Sequence, residues 1–140
     1  MTRLRFLLDT NILSEPLRPR PNANVMQNLV DNAGTVAIAT IAWHEILFGY
    51  HRMLRSSKRE ILEAYLWEEI RAKMPLLPYD AAAAEWFAKE RARLSAIGKT
   101  PAYADGQIAA VAQVNNLIMV TNNTRDYSDF QDLRLENWFS

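Results

Sequence analysis

The segment Arg3-Leu4-Arg5-Phe6-Leu7-Leu8-Asp9-Thr10-Asn11 decides the fold class. Its apolar residues up to Leu8 predict a short buried strand. Asp9, Thr10 and Asn11 then end the strand and begin a helix, because all three residue types are favoured as helix caps. A buried strand that passes directly into a helix is the first half of a β–α unit.

The rest of the chain continues this alternation of strands and helices. Short apolar runs predict further strands at 35–39, 75–77, 117–121 and 134–136. Helices are predicted at 22–32, 41–55, 58–73, 80–97 and 100–116. Their predicted start signals include Thr40, Asp80 and Pro101. This order predicts a single α/β domain over residues 1–140 with a mainly parallel sheet, in which ligands bind beyond the carboxyl ends of the strands.

Composition excludes several classes of function. Of the 140 residues, 49% are hydrophobic and 23% are charged, as in a globular domain, and none is cysteine. Disulfides, thiolate metal sites and cysteine nucleophiles are therefore excluded. The absence of cysteine also fits a cytoplasmic protein. No apolar run is long enough to cross a membrane, and the segment 1–8 lacks the features of a signal peptide. The zero net charge argues against non-specific coating of nucleic acid, though not against a nuclease whose cations supply positive charge.

Asp9 and Glu45 are the first two candidate site residues. Asp9 follows a strand, where it could act only as the cap of the next helix, but three cap-forming residues in a row exceed what one helix start requires. Glu45 lies in the segment 41–48, which is apolar on nearly every side, so we expect a buried helix whose carboxylate needs a partner or a cation. A salt bridge, or a turn of helix that faces water, would also account for Glu45.

Asp105 and the polar residues after the strand 117–121 complete the candidates. Asp105 shares a helix face with apolar residues three, four and seven positions later, although interaction with the helix N-terminus would also explain it. Asn123 and Asp126 follow a strand, as residues of an ordinary polar turn also do. Together the candidates place acids or amides at two strand ends and on two helix faces.

Carboxylates gathered in one place require a cation. They repel one another and raise each other's pKa unless positive charge is present. A hard divalent ion with oxygen ligands supplies that charge, and Mg²⁺ or Mn²⁺ suits such a site without histidine or cysteine. The sequence therefore predicts a Mg²⁺ site, with Mn²⁺ as a substitute.

Four segments resemble, in order and spacing, the PIN-domain toxins of the VapC type. They are Leu7-Leu8-Asp9-Thr10-Asn11-Ile12, Ala42-Trp43-His44-Glu45-Ile46-Leu47-Phe48-Gly49, Ala104-Asp105-Gly106-Gln107-Ile108-Ala109-Ala110 and Val120-Thr121-Asn122-Asn123-Thr124-Arg125-Asp126-Tyr127. The segment 13–19 also resembles the FitB branch. The segments 120–125 and 136–138 resemble VapC enzymes that cleave initiator transfer RNA.

The resemblance implies a three-layer α/β/α sandwich and a toxin of a type II toxin–antitoxin system. Such a toxin is a metal-dependent RNA endonuclease, with transfer RNA as the first choice of substrate. The resemblance also implies a homodimer and a cognate antitoxin through which operator DNA is bound, with no membrane association. It assigns Asp9, Glu45 and Asp105 as the acidic core.

In this assignment Asp9 and Asp105 hold Mg²⁺ directly, and Glu45 holds the ion or a water bound to it. Relatives differ in the fourth catalytic position, which is an acid either where Asn123 stands or where Asp126 stands. Asp126 is therefore assigned to the outer part of the catalytic site, with Asn123 as a neutral helper. The residues expected to orient these ligands or the substrate are Thr10, Asn11, Thr121, Asn123 and Arg125.

Several further expectations concern the substrate and the partner. Phosphate contacts are expected from Arg18, Arg20, Lys99 or Arg125. The segments 62–67 and 83–87 are candidate walls of a groove for an antitoxin helix, and internal packing accounts for them equally well. Two other functions remain open: a non-catalytic subunit of an antitoxin–operator complex, and a phosphatase with Asp9 as nucleophile, which would usually have a second acid where Asn11 stands.

Overall fold

A computed structural model describes residues 3–140; Met1 and Thr2, the first two residues of the predicted domain, lie outside the described residues. The strands are β1 (Phe6–Leu8), β2 (Val36–Ala39), β3 (Leu76–Leu77), β4 (Ile118–Val120) and β5 (Leu135–Glu136). They form one sheet in the order β3–β2–β1–β4–β5, and every neighbouring pair is parallel. The predicted parallel α/β class is confirmed, although each strand is shorter than the apolar run that predicted it.

Helices cover both faces of this sheet. Within residues 3–140 they are α1 (Thr10–Ser14), α2 (Ala23–Asp31), α3 (Thr40–Arg52), α4 (Ser57–Ala64), α5 (Ala81–Ala96), α6 (Tyr103–Val114) and α7 (Thr124–Tyr127). A 3₁₀ turn follows α1 at Glu15–Leu17, and α4 continues as a π-helix over Tyr65–Arg71. Every residue of β1 and β2 is buried, so both faces are covered and the predicted three-layer sandwich is confirmed. No helix in the described part of the chain is long and apolar enough to cross a membrane.

Two predicted helix starts are wrong. Thr40 is the first residue of α3 and makes no side-chain cap; Ala39 occupies the cap position. The helix predicted from Thr100-Pro101 begins instead at Tyr103, with Ala102 in the cap position and no side-chain cap. Asp80 does cap α5, since its carboxylate accepts from the backbone N–H of Ala83 at 2.9 Å.

The close packing of α5 against α6 bears on the position of the third candidate acid, Asp105. Gly106 lies in the first turn of α6, directly after Asp105, and a Cβ at this position would overlap the ring of Phe87 on α5. Phe87 is itself almost fully buried. The glycine therefore lets α5 and α6 approach closely beside Asp105.

Candidate active site

The candidate residues gather at the point where the order of the strands reverses. From β1 the chain proceeds to β2 and β3 on one side of the sheet, then returns to place β4 and β5 on the other side. Ligands in open parallel sheets bind at such a switch point, outside the carboxyl ends of the strands. Asp9 and Thr121 are the residues directly after β1 and β4, and the Asp9 N–H donates to the carbonyl of Val120 at 2.9 Å.

Asp9 is a buried carboxylate that is held by several donors. Its Oδ1 accepts from the N–H of Thr10 at 2.8 Å, so Asp9 does cap α1. Its Oδ2 accepts from the hydroxyl of Thr121 at 2.8 Å and from the side-chain amide of Asn11 at 3.3 Å. The role of Asp9 as a helix cap accounts for the contact of Oδ1 only. Oδ2 faces β4 and the other candidate residues, and its contacts need another explanation.

Asn11 and Thr121 join the ends of β1 and β4. The side-chain carbonyl of Asn11 accepts from the N–H of Asn122 at 3.0 Å, and its amide donates to the Thr121 hydroxyl at 3.3 Å. Thr121, which is fully buried, also accepts from the N–H of Asn123 at 3.0 Å. Asn11 and Thr121 therefore lie where residues that orient Asp9 are expected, whereas Thr10 and Asn123 make their contacts through the backbone.

Tyr127 connects Asp9 to Asp105 and was not among the residues predicted from the sequence. Its hydroxyl lies 3.2 Å from Oδ1 of Asp105 and 3.4 Å from Oδ2 of Asp9. The two carboxylates, 96 positions apart in the sequence, thus lie within hydrogen-bonding reach of one hydroxyl. The signal available in the sequence was a tyrosine at the end of the polar segment that follows a buried strand.

Burial and repulsion between carboxylates shape the electrostatics of the site. Partial burial raises the pKa of Asp105 above its usual 3.8; Asp9 and Asp126 raise it further, and the hydrogen bond from Tyr127 opposes the rise. Partial loss of hydration also raises the pKa of Glu45, to which the charges of Asp9 and Asp105 add. Asp9, Glu45 and Asp105 therefore act on one another electrostatically, as a convergent site requires.

Glu45 does not lie in the buried helix that the sequence predicted. Glu45 and His44 lie on an exposed side of α3, where the side chain of Phe48 is also 55% exposed. On the other side of the helix, Ala42 and Trp43 face the core. Of the apolar residues in this segment, Ile46 lines a surface groove together with Glu45. Glu45 lies at this groove, and the charges of Asp9 and Asp105 act on its carboxylate.

The remaining candidates lie at or beyond the edge of the site. Asp126 is exposed and acts on Asp105 through its charge. Arg125 is exposed beside it, and no hydrogen bond within residues 3–140 joins its side chain to the acids. Of the predicted phosphate contacts, Arg18 and Lys99 are engaged in ion pairs with Glu15 and Asp129, at 3.7 Å and 3.5 Å, and Arg20 is exposed.

The donor set suits a hard divalent cation. Its side chains offer carboxylate, hydroxyl and amide oxygens, which Mg²⁺ and Mn²⁺ prefer. No lysine, arginine or histidine nitrogen in residues 3–140 forms an ion pair with Asp9, Glu45 or Asp105. Nor do three acidic or histidine side chains of the described residues converge closely enough to form a complete ligand set. Asp9 and Asp105 are linked through one hydroxyl, and Glu45 lies at the rim. This arrangement fits an ion whose remaining ligands are water molecules and substrate oxygens.

Comparison with known proteins identifies the family. The family model for the PIN domain matches residues 6–133. The chain belongs to the PIN domain family. It is 32% identical over 136 residues to the tRNA(fMet)-specific endonuclease VapC of Shigella flexneri, an alignment that covers 96% of this chain and 98% of that one. It is 35% identical over 130 residues to Toxin FitB of Neisseria gonorrhoeae, covering 87% and 90%.

A solved structure of FitAB bound to an IR36 DNA fragment superposes with a TM-score of 0.89 at 31% identity and covers 96% of both chains. These matches confirm the VapC- and FitB-type resemblance predicted from the sequence. The PIN fold also explains why residues far apart in the sequence meet at the ends of β1 and β4.

Proposed function

We propose that this VapC-type PIN-domain ribonuclease is the toxin of a type II toxin–antitoxin system and that it hydrolyses RNA with Mg²⁺ at the cluster of Asp9, Glu45 and Asp105. The observation that carries the proposal is the approach of Asp9 and Asp105 to one hydroxyl, with no basic side chain of the described residues paired to either. Nucleases of this family depend on divalent metal ions, and the oxygen-only donor set supports Mg²⁺ as the ion, with Mn²⁺ as a substitute.

The roles of the residues follow from their contacts. Asp9 and Asp105 would hold the ion, and Glu45 would hold it or a water bound to it. The ion would lower the pKa of the attacking water and stabilise charge on the phosphate. Thr121 and Asn11 keep the Asp9 carboxylate in one orientation through their hydrogen bonds to Oδ2. Asp126, at the rim, adds negative charge to the outer part of the site.

An antitoxin would bind in the groove that begins at Glu45. Leu17, Ile46 and Leu62 line this groove together with Glu45, Arg18 and Lys58, so an apolar helix would find an apolar floor beside charged groups of both signs. Of the two predicted walls, the segment 62–67 contributes Leu62. The segment 83–87 does not form a wall, because Ala83 and Phe87 are buried against the core.

Finer features of the function rest on similarity alone. The name of the Shigella flexneri relative supports transfer RNA, and initiator transfer RNA in particular, as the substrate. The FitAB–DNA structure supports binding of operator DNA through the antitoxin. We also propose that residues 1–140 form one nuclease domain, that the toxin is a homodimer, and that it acts in the cytoplasm, where its RNA substrate is found.

The proposal is tested by RNA cleavage. The purified chain, incubated with total transfer RNA, is expected to cut with Mg²⁺ and not with EDTA. Asp9→Asn should abolish cleavage while it keeps the helix cap, because asparagine caps as well as aspartate. Asp132→Asn, the same change at an exposed position, should cut like the wild type. Cleavage that is equal with Mg²⁺, with EDTA and with Asp9→Asn would refute the proposal.

The substrate is identified by sequencing the RNA ends that arise when the toxin is expressed without its antitoxin. Ends at one position in one transfer RNA are expected. Ends scattered over messenger RNA would support the proposed nuclease activity but would refute transfer RNA as its substrate. No new ends, together with operator binding by an antitoxin complex, would favour a non-catalytic subunit.

A further inference from the structure

The carboxylates of Asp9 and Asp105 are held very unequally. Asp9 has donors from the backbone of Thr10, from Thr121 and from Asn11, with Tyr127 at the longest distance of 3.4 Å. Among the hydrogen bonds of residues 3–140, Asp105 accepts a single one at its carboxylate, from the hydroxyl of Tyr127 at 3.2 Å. The orientation of Asp105 therefore depends on one donor.

That donor is itself fixed in place. Tyr127 lies in the short helix α7, its side chain is 2% exposed, and its ring packs against that of Phe130 with centroids 6.3 Å apart. A phenol has one hydrogen, so Tyr127 can donate to one carboxylate at a time. The Thr121 hydroxyl already donates to the same oxygen of Asp9 at 2.8 Å, which leaves Asp105 as the better acceptor for Tyr127.

We propose that Tyr127 is a positioning residue, whose hydroxyl holds the Asp105 carboxylate toward Asp9 so that the two can bind one divalent ion. The proposal rests on the proposed function, because it concerns the same acidic cluster. Residues that hydrogen-bond to metal ligands typically change metal affinity by about 10–100-fold when they are replaced. The hydroxyl makes no contact with substrate in this account, and it acts through Asp105.

The test is calorimetric titration of Mg²⁺ into the metal-free wild type and into Tyr127→Phe, which removes one oxygen and keeps the ring. Tyr127→Phe is expected to bind Mg²⁺ at least about tenfold more weakly, with cleavage restored at high Mg²⁺. The matched control is Tyr65→Phe, which loses a hydroxyl that donates to the carbonyl of Leu13 at 2.7 Å. It should lower thermal stability without changing the affinity for Mg²⁺.

The outcomes separate this inference from the proposed function. If the wild type binds Mg²⁺ and cuts RNA, and Tyr127→Phe binds Mg²⁺ equally well, the positioning role is refuted and the nuclease stands. If the wild type neither binds Mg²⁺ nor cuts RNA, both are refuted. Equal weakening in Tyr65→Phe would mean that the effect is a general loss of stability, which also refutes the positioning role.

A second measurement covers the case in which Tyr127→Phe does not fold. The wild type is labelled with 3-fluorotyrosine, and Mn²⁺ is added in substoichiometric amounts. A single tyrosine resonance should broaden first in the ¹⁹F spectrum, because only Tyr127, of the tyrosines in residues 3–140, hydrogen-bonds to the predicted ligands. Uniform broadening of all the tyrosine resonances, or none, would overturn the proposal.

Discussion

Replacing Asp105 by asparagine should stabilise the metal-free protein while it abolishes activity. The change keeps the size of the side chain and an oxygen that can accept from Tyr127. It removes one of two negative charges whose oxygens lie 3.4 Å and 3.2 Å from that hydroxyl, and are therefore at most about 6–7 Å apart. Coulomb's law at this separation and an effective dielectric constant of 20 gives ~3 kcal/mol of repulsion. Asp105 is only partly buried, so solvent screening reduces the expected gain to about 1–2 kcal/mol, or roughly 3–8 °C in melting temperature.

The assay is thermal and urea unfolding in EDTA at pH 7.5, and again with Mg²⁺. In EDTA, Asp105→Asn should be more stable than the wild type. With Mg²⁺ the order should reverse, because an ion bound only by the native wild type adds about 2.7 kcal/mol at 100 times its dissociation constant. Asp132→Asn, at an exposed position whose φ of 63° asparagine tolerates, should change stability little in either buffer.

The pH dependence of the free energy of unfolding gives an independent test of the sign of the effect of Asp105→Asn. The folded pKa of Asp105 is raised, so the unfavourable charge is absent below the usual value of 3.8 and appears as the pH rises through the folded value. The stability difference between Asp105→Asn and the wild type should therefore vanish in acid. We predict that Asp105→Asn raises the free energy of unfolding in EDTA at pH 7.5. If this substitution instead lowered it by more than about 1 kcal/mol, the proposed convergence of the acids would be refuted.

Two further predictions concern the packing that supports the site. Gly106→Ala should destabilise the fold by about 1–3 kcal/mol in urea unfolding, because its Cβ would overlap Phe87. Gly49→Ala in α3 has open space around it and should stabilise the fold by about 0.5–1 kcal/mol. Equal effects of the two substitutions would contradict the packing argument. Glu90→Gln should cost about 1–3 kcal/mol, since buried Glu90 binds Arg93 and the N–H of Gln131, while the exposed Glu69→Gln should cost less than about 0.5 kcal/mol. The hydrogen bond from Arg93 lowers the pKa of Glu90, so its contribution is present above the usual 4.5 and should be lost as the pH falls through the lower folded value. This role would be contradicted if the wild type and Glu90→Gln had the same free energy of unfolding at neutral pH as well as in acid.

The sequence predicted the parallel fold and Asp9 well because both depend on local patterns. A buried apolar run followed by cap-forming residues marks the carboxyl end of β1, wherever the rest of the chain lies. Glu45 was placed in a buried helix because periodicity reports apolar content, and it cannot tell a core face from a groove on the surface. The exposure of Glu45 depends on which elements pack against α3, and that is a tertiary property.

Tyr127 could not be assigned a role from the sequence for a similar reason. Its importance comes from two carboxylate oxygens, one of Asp9 directly after β1 and one of Asp105 in α6, and no local pattern shows that α7 will bring a hydroxyl between them. The start of α6 was misplaced because Thr100-Pro101 has a good local start signal, while the actual start at Tyr103 has no side-chain cap that the sequence could reveal.

The most direct test of the central claim is a crystal structure of the protein soaked in Mn²⁺, with anomalous scattering used to locate the ion. We expect one strong anomalous peak in contact with a carboxylate oxygen of Asp9 and one of Asp105, and no such peak in Asp105→Asn. A soaked crystal whose Mn²⁺ sites all lie away from these two side chains would contradict the account.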